Sequence, residues 1–266
     1  MAVFANHAHL MPPEVNPEAG LDDLLRLMEA CGIDRAVCFA PFADQARQAD
    51  IADPNLWLAE EIEGRRELLG FACLNPTLPD SLAALTRARE LGLRGVKLHP
   101  AYDRFDVTDP RALEFYRAVA ALGMVLDLHT GVHASRLRDW EMFKFDDVAW
   151  EVPAARLILE HMGSRPFFNQ TLAVIGNHLH AEGPRIFAGA TTCLNPDVPL
   201  WYLGAERIEE VVRLLGKDVL VYGLDFPYNS AEVIKRELEM YRALDLGAGG
   251  QEALLGGNLG RLLGEG

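Results

Sequence analysis

Cysteine is scarce in this sequence. Only four of the 266 residues are cysteines, and no two of them form a CxxC pair. Cys31, Cys38, Cys73 and Cys193 are scattered and stand in apolar surroundings, which is typical of buried thiols in a reducing compartment. The pattern therefore favours a reduced cytoplasmic protein over a disulfide-stabilised one.

Basic residues are also few. The chain has 25 lysines and arginines against 39 acidic residues, which gives a formal net charge of −14. This balance argues against nucleic acid and anionic membranes as partners, because both require a cationic surface. It leaves a small acidic substrate open, since a local pocket can be cationic on an acidic protein.

Long apolar runs are missing as well. No window approaches 18 uninterrupted apolar residues, and the N-terminus lacks the basic region and apolar core of a secretory signal. We therefore expect a cytoplasmic protein without a membrane partner. The sequence leaves both a monomer and a homo-oligomer open.

What the sequence does contain is a regular alternation. Eight short apolar segments alternate with amphipathic helical patterns at roughly the thirty-residue spacing of βαβ units. The predicted strands are Ala2–His9, Ala36–Ala40, Leu68–Leu74, Arg94–Pro100, Met124–His129, Arg156–His161, Ile186–Thr192 and Asp218–Asp225. A (β/α)₈ barrel has about 250 residues, and no glycine-rich phosphate loop follows strand one to favour an open doubly wound sheet. We predict an α/β protein in which residues 1–266 form a single (β/α)₈ TIM-barrel domain.

Three helix starts can be predicted from local sequence. Asp53-Pro54 and Asp109-Pro110 each combine an N-cap residue with proline at the first helical position. Asn229 and Glu232 have the spacing of a capping box.

The end of the first strand carries the sequence His7-Ala8-His9. Side chains alternate along a strand, so His7 and His9 are expected on one face, about 6.6 Å apart along the strand. At that distance both imidazoles can face one metal ion. An isolated HxH is weak evidence, and the case depends on the rest of the chain.

Five of the eight histidines fall at the ends of predicted strands one, four, five and six. They are His7, His9, His99, His129 and His161. Asp225 ends strand eight, which is next to strand one in a closed barrel. The active site of this fold lies at the C-terminal ends of the strands, so we predict a metal site there.

The remaining three histidines are less informative. His178 and His180 form a second HxH, but on a predicted helix over Phe168–Ala181, where positions i and i+2 do not share a face. We expect both at the surface. His133 follows strand five and is compatible with either a site or a surface position.

Six motifs resemble the amidohydrolase superfamily, and more closely its metal-dependent hydrolases and decarboxylases related to aminocarboxymuconate-semialdehyde decarboxylase. The motifs are NHAHL, GVKLHP, LDLHTG, LEHMG, YGLDFPY and GGNLGRLLG, and they extend over nearly the whole chain. The resemblance implies a barrel of the metal-dependent hydrolase type. It also implies that His7, His9, His129 and Asp225 bind a divalent ion, and that His161 assists catalysis beside it.

One position departs from that family pattern. The family usually has aspartate before the first histidine, and this chain has Asn6. If the residue at this position orients a metal ligand, Asn6 can accept a hydrogen bond through its carbonyl, without charge.

These features predict a metal-dependent hydrolase that acts on an amide, ester or lactone bond of a small, acidic or neutral molecule. The ion is zinc by preference for a histidine-rich site, with manganese as the alternative, and it activates a water molecule. Asp225 is the predicted proton acceptor, and His161 polarises the substrate carbonyl or protonates the leaving group. The rival hypotheses are a non-oxidative decarboxylase of a small unsaturated or aromatic acid and a non-catalytic ligand-binding descendant.

Lys97, His99 and Arg136 are the candidate substrate-binding residues. Lys97 shares a strand face with His99, where an unpaired ammonium is costly. Three roles for Lys97 carry similar weight: pairing with an acidic substrate, carboxylation to bridge a second metal, and an ion pair with Glu160 or Asp127. Arg136 lies in a loop after strand five, as Arg138 does, and Arg104 lies after strand four. A guanidinium in these loops can bind a carboxylate as a fork.

Overall fold

Eight parallel strands form a closed barrel in the order β1 to β8. The computed structural model describes residues 2–134 and 136–265. The strands are β1 Phe4–His9, β2 Arg35–Phe39, β3 Leu68–Cys73, β4 Gly95–Leu98, β5 Val125–His129, β6 Leu157–Glu160, β7 Ile186–Thr191 and β8 Leu220–Phe226. Each strand pairs in parallel with its neighbours, and β8 pairs with β1. The predicted TIM barrel is confirmed, and every predicted strand end lies within two residues of the observed one.

Twelve α-helical segments in the described residues connect and cover the strands. They are α1 Leu21–Cys31, α2 Ala43–Gln48, α3 Pro54–Glu61, α4 Ser81–Glu90, α5 Pro100–Asp103, α6 Pro110–Ala121, α7 Phe143–Glu151, α8 Ser164–Asn177, α9 Ala205–Leu215, α10 Ala231–Ala243, α11 Gly250–Glu252 and α12 Asn258–Leu263. Short 3₁₀ turns lie at Leu137–Trp140, His161–Gly163 and Lys217–Val219, and a π-helical turn at Ala253–Gly257 precedes α12. Within this part of the chain, no helix combines the length and apolarity needed to cross a bilayer.

Two of the three predicted helix caps are confirmed. The Asp53 carboxylate accepts hydrogen bonds from the first turn of α3, and the Asp109 carboxylate does the same for α6. The third prediction is wrong, because Ser230, not Asn229, caps α10. Asn229 is buried, and its side-chain amide donates a hydrogen bond to the Thr192 hydroxyl at the strand ends instead of capping the helix.

The helix predicted over Phe168–Ala181 ends at Asn177. His178 follows as its C-cap and His180 lies beyond it, so the two rings do not share a helix face. His180 is exposed, as predicted, but His178 is buried and its Nε2 lies 2.8 Å from Asp146 of α7. The surface prediction for His178 is therefore wrong, because a contact between distant segments covers the ring.

At two glycines of the barrel strands, a side chain of the neighbouring strand packs directly against the glycine Cα. A Cβ at Gly189 on β7 would lie 2.4 Å from Oε2 of Glu160, and one at Gly223 on β8 would lie 2.0 Å from the Thr191 hydroxyl oxygen. Neither position has room for a side chain. Glu160 and Thr191 are the last residues of β6 and β7, so both contacts lie at the strand ends.

Candidate active site

A cavity of about 320 Å³ opens at the C-terminal ends of the strands. Most of the predicted site residues line it, together with an aromatic and apolar wall. The predicted ones are His7, His9, His99, His129, His161 and Asp225; the wall includes Phe42, Tyr102, Val198, Trp201 and Tyr228. The barrel therefore brings the histidines of four strands and the Asp225 carboxylate into one cavity, as the strand-end positions predict.

His7, His9 and Asp225 form what we call the first cluster. One potential ligand atom from each lies within 4.8 Å of the others, and both imidazoles are buried. His7 Nε2 is 3.5 Å from Oδ1 of Asp225, and the His7 and His9 ring centroids are 5.0 Å apart. Two imidazoles and a carboxylate are donors that zinc and manganese accept, so the first cluster fits a divalent cation.

The backbone reaches this geometry in a way that simple strand alternation does not predict. His7 has φ 70°, and the pairing of β1 with both neighbours shifts register beside it. β1 runs through both residues and both side chains line the cavity, as expected, but the backbone at His7 departs from regular strand geometry. His161, Thr192 and Asp225 also have positive φ, at 63°, 61° and 55°. Non-glycine residues adopt this region rarely, and such strain concentrates at functional sites.

His99, His129 and His133 form a second cluster in the same cavity. One ring nitrogen from each lies within 4.8 Å of the others. The His99 and His129 rings stack with centroids 3.8 Å apart, and the His133 centroid is 4.6 Å from that of His99. Of the four residues implied by the resemblance, His7, His9 and Asp225 form the first cluster and His129 lines the same cavity, with its ring centroid 4.9 Å from that of His161. That all four bind one ion stays a prediction. His133, which the sequence left open, lies at the cavity.

The tautomer of His161 follows from one contact. Its Nδ1 lies 3.0 Å from the carbonyl oxygen of Thr191, which can only accept, so Nδ1 carries the proton. Nε2 then presents a lone pair. Burial, with Lys97 nearby, lowers the pKa of His161 to about 3, so the ring is neutral at pH 7. In this state His161 accepts a proton, and it can donate one to a leaving group only after that.

Thr192 and Asn229 hold the Asp225 carboxylate. The Thr192 hydroxyl donates to Oδ2 of Asp225 at 2.9 Å and accepts from the Asn229 amide at 3.2 Å. Burial raises the pKa of Asp225 to about 6, against the lowering effect of the Thr192 hydrogen bond. Neither Thr192 nor Asn229 was identified from the sequence, because their contact joins the end of β7 to the loop after β8.

Beneath the first cluster lies a group that we call the buried network: Asn6, Lys97, Asp127 and Glu160. Lys97 Nζ lies 2.8 Å from Oδ1 of Asp127, and neither side chain is exposed. The Asn6 amide donates to Asp127 at 2.6 Å and to Glu160 at 2.5 Å. Burial raises the pKa of Asp127, while the Lys97 charge opposes that rise. Asn6 thus acts as a donor between two carboxylates, not as the acceptor that was expected.

The buried network also contacts the first cluster. Glu160 Oε2 lies 3.3 Å from His7 Nδ1, and Lys97 Nζ lies 3.4 Å from His7 Nε2. Burial and the nearby Lys97 charge lower the pKa of His7, so this imidazole is neutral at pH 7. A neutral imidazole is the form that binds a metal.

The candidate cations do not reach the cavity. Of the three roles considered for Lys97, the contacts match an ion pair with Asp127. Arg136 and Arg138 are exposed in the loop after β5, and Arg104 lines an adjoining groove. Among the described residues that line the cavity, none is an arginine or a lysine.

A family model described as Amidohydrolase matches residues 6–264. This chain belongs to the amidohydrolase family, which confirms the resemblance seen in its motifs. No curated protein matches the chain significantly in sequence.

Solved structures share the fold at low sequence identity. An uncharacterized TIM-barrel protein from Bordetella bronchiseptica has a TM-score of 0.79 at 17% identity, covering 100% of this chain and 99% of that one. A dihydroxybenzoic acid decarboxylase from Polaromonas, solved with manganese and the inhibitor 2-nitroresorcinol, has a TM-score of 0.72 at 15% identity, covering 99% and 97%. A probable 2-pyrone-4,6-dicarboxylic acid hydrolase from Acinetobacter baumannii, with citric acid bound, has a TM-score of 0.70 at 14% identity, covering 99% and 100%.

Proposed function

We propose that this protein is a metal-dependent hydrolase that cleaves an amide, ester or lactone bond of a small molecule. The observation that carries the proposal is the first cluster, in which two buried imidazoles and a carboxylate line a cavity of about 320 Å³. His7, His9 and Asp225, with His129 of the same cavity as the fourth ligand, would hold a divalent cation, zinc by preference and manganese as the alternative. When bound, such a cation lowers the pKa of a water molecule and polarises a carbonyl oxygen.

The chain's own side chains supply the proton acceptors. Asp225 is held through Oδ2 by Thr192, which leaves Oδ1 toward His7 and the cavity. His161 presents the lone pair of Nε2, because Nδ1 donates to Thr191. Asp225 takes the proton from the attacking water, and His161 relays that proton to the leaving group.

We favour hydrolysis over decarboxylation because the described cavity lining has no basic side chain that could bind a carboxylate. A decarboxylase has to hold a carboxylate, and a guanidinium fork is the usual partner for that group. The described cavity lining contains no arginine or lysine, and the Lys97 ammonium is paired with Asp127 below it. A neutral carbonyl compound needs no such cation.

Decarboxylation of a small aromatic or unsaturated acid is the second candidate. The aromatic wall favours it, since Trp201 lies edge-on to His161 with centroids 4.6 Å apart and Phe42 stacks on Tyr102 at 4.5 Å. These surfaces suit a planar ring. The dihydroxybenzoic acid decarboxylase of similar fold makes the candidate worth testing directly.

One assay separates the two candidates. The protein, reconstituted with zinc or manganese, is given a panel of lactones, esters, amides and unsaturated or aromatic acids, and both acid release and carbon dioxide are followed. We expect acid release without carbon dioxide, its loss in Asp225→Asn, and wild-type rates in the matched control His180→Ala. Stoichiometric carbon dioxide would overturn hydrolysis, and full activity in metal-free protein would overturn the metal dependence.

A further inference from the structure

The Glu160 carboxylate is held in place by donors from two other strands. Glu160 is the last residue of β6, and its side chain is fully buried. Oε1 accepts a hydrogen bond from the Asn6 amide of β1 at 2.5 Å, and Oε2 accepts one from the Thr191 hydroxyl of β7 at 2.6 Å. Rotation of the carboxylate would break at least one of these hydrogen bonds, so its position is well defined.

A glycine on β7 makes room for this carboxylate. A Cβ at Gly189 would lie 2.6 Å from the carboxylate carbon of Glu160, which is closer than two carbon atoms can pack. Any side chain at Gly189 would therefore displace the carboxylate. The barrel wall itself thus fixes where Glu160 lies.

The same carboxylate contacts a residue of the first cluster. Oε2 of Glu160 lies 3.3 Å from His7 Nδ1, a buried nitrogen that makes no well-aligned hydrogen bond among the described residues. A buried polar atom is costly unless a group close to it compensates the lost hydration. Glu160 is placed to provide that compensation.

The contact on the other side of the ring determines where His7 carries its proton. His7 Nε2 lies 3.4 Å from Lys97 Nζ, and an ammonium can only donate hydrogen bonds. Nε2 therefore presents the lone pair, and Nδ1 carries the proton that faces Glu160. Nε2 is also the nitrogen that lies 3.5 Å from Oδ1 of Asp225, so the lone pair belongs to the side of the ring on which the first cluster forms.

The backbone of His7 needs support of this kind. Its φ of 70° lies in a region that non-glycine residues adopt only at a cost. Such a conformation persists where the surrounding contacts over-determine it. The contacts that Glu160 and Lys97 make with the two ring nitrogens hold the side chain from both sides.

We infer that Glu160 is a positioning residue, which holds His7 with its proton on Nδ1 and its lone pair on Nε2 before a cation binds. A ligating imidazole generally donates its other ring N–H to a carboxylate or carbonyl, which orients the ring and strengthens the donor nitrogen. Glu160 does not touch the cation and acts through His7. This role deepens the proposed function and rests on the first cluster as the cation site.

The proton of His7 can be located in the metal-free wild type. Protein with nitrogen-labelled histidine is stripped with a chelator, and the ring signals of His7 are assigned by their loss in His7→Gln. Nitrogen chemical shifts and ring couplings distinguish the two neutral tautomers. We expect the proton on Nδ1 in wild type, and a proton on Nε2 would overturn the inference.

Glu160→Gln should shift this balance toward the tautomer with its proton on Nε2. The carboxamide offers one acceptor oxygen to Asn6, Thr191 and His7, and its own amide group needs an acceptor. An unprotonated Nδ1 is such an acceptor. A tautomer balance equal to that of wild type would contradict the role of Glu160.

Zinc affinity tests whether the position of the carboxylate matters for the cation. Competition with a chromophoric chelator is measured for wild type, Glu160→Gln, Glu160→Asp and the matched control Glu237→Gln, and circular dichroism checks each fold. We expect the affinity to be about 10- to 100-fold weaker in both Glu160 variants. It should stay close to wild type in the control, which makes the same change at a buried carboxyl group outside the cavity lining.

Glu160→Asp separates position from charge. It keeps the carboxylate but withdraws it from His7 Nδ1 by one methylene group. A loss of affinity in Glu160→Gln alone would show an effect of charge and would overturn the positioning role.

The two measurements also separate failure of the positioning role from failure of the proposed function. Wild type that binds no zinc would contradict the metal-dependent activity, and the tautomer of His7 would then decide the positioning role alone. Wild type that binds zinc, with unchanged affinity in both Glu160 variants, would overturn the positioning role and leave the proposed function in place.

Discussion

The Lys97 ammonium lies 2.8 Å from the Asp127 carboxylate, and both side chains are fully buried at the base of the site. Removing one partner of such a pair leaves an uncompensated buried charge. We therefore expect Lys97→Met to lower the free energy of unfolding by about 3 to 5 kcal/mol. Urea denaturation measures this loss.

The double variant Lys97→Met/Asp127→Asn is the control for that expectation. It removes both charges at once, so it should recover a large part of the loss seen in Lys97→Met. Equal losses in the single and double variants would show that the ion pair is not the cause.

Asn6 shows why the family's aspartate does not suit this chain. Its amide donates to Asp127 and to Glu160, so Asn6→Asp replaces two donated hydrogen bonds with a third carboxylate. We expect a loss of at least about 2 kcal/mol in the free energy of unfolding. The loss should grow as the pH rises from 5 to 8, because ionisation of a third carboxylate becomes harder to avoid in the folded state.

Asn6→Ala separates lost hydrogen bonds from added charge. It should lower stability with a much weaker dependence on pH, measured by urea denaturation at several pH values. A pH profile of Asn6→Asp that matches the profile of Asn6→Ala would contradict the charge argument.

The two histidines of the second HxH pair, His178 and His180, should respond differently to substitution. His180 is exposed, so His180→Ala should leave both stability and metal content unchanged. His178 is buried with Nε2 2.8 Å from Asp146. We expect His178→Ala to lower the free energy of unfolding by about 1 kcal/mol without changing metal content. Loss of metal in either variant would place a metal ligand outside the cavity.

The fold could be predicted because each strand and helix leaves a local trace in the sequence. Apolar segments such as Leu68–Cys73 and caps such as Asp53-Pro54 can be recognised from neighbouring residues alone. The active-site end of the barrel follows from the same alternation, since parallel strands all end on one side. Local signals therefore located the histidines and Asp225 correctly at one cavity.

The details of the site depend on contacts between distant segments, which local patterns do not encode. The positive φ of His7 arises where β1 shifts register against β2 and β8. The grouping of His129 with His133 depends on the path of the loop after β5. The burial of His178 depends on Asp146, which lies 32 positions away along the chain. No pattern in one sequence specifies these pairings.

Glu237 on α10 is a fully buried carboxyl group outside the cavity lining. Its Oε1 accepts a hydrogen bond from the Leu194 amide at 3.1 Å, and its Oε2 has no partner among the described residues. Burial raises the pKa of Glu237 to about 7, with Asp225 adding to the rise while Arg236 and the Leu194 amide oppose it. The folded protein therefore keeps a proton on Glu237 at pH values where the unfolded chain has released it.

This proton makes stability fall as the pH rises. Between the ordinary glutamate value of 4.5 and about 7, the folded state binds more protons than the unfolded state, so the free energy of unfolding decreases through that window. At roughly 1.4 kcal/mol per pH unit, the decrease due to Glu237 approaches about 3 kcal/mol.

Glu237→Gln keeps the shape of the side chain and removes the titration. We expect it to be more stable than wild type at pH 8 and to differ little at pH 4.5, by urea denaturation at both values. Other buried carboxyl groups titrate in both proteins, so the difference in the free energy of unfolding between wild type and Glu237→Gln reports on Glu237 alone. A difference that does not change with pH would show that the Glu237 carboxyl is ionised in the folded state.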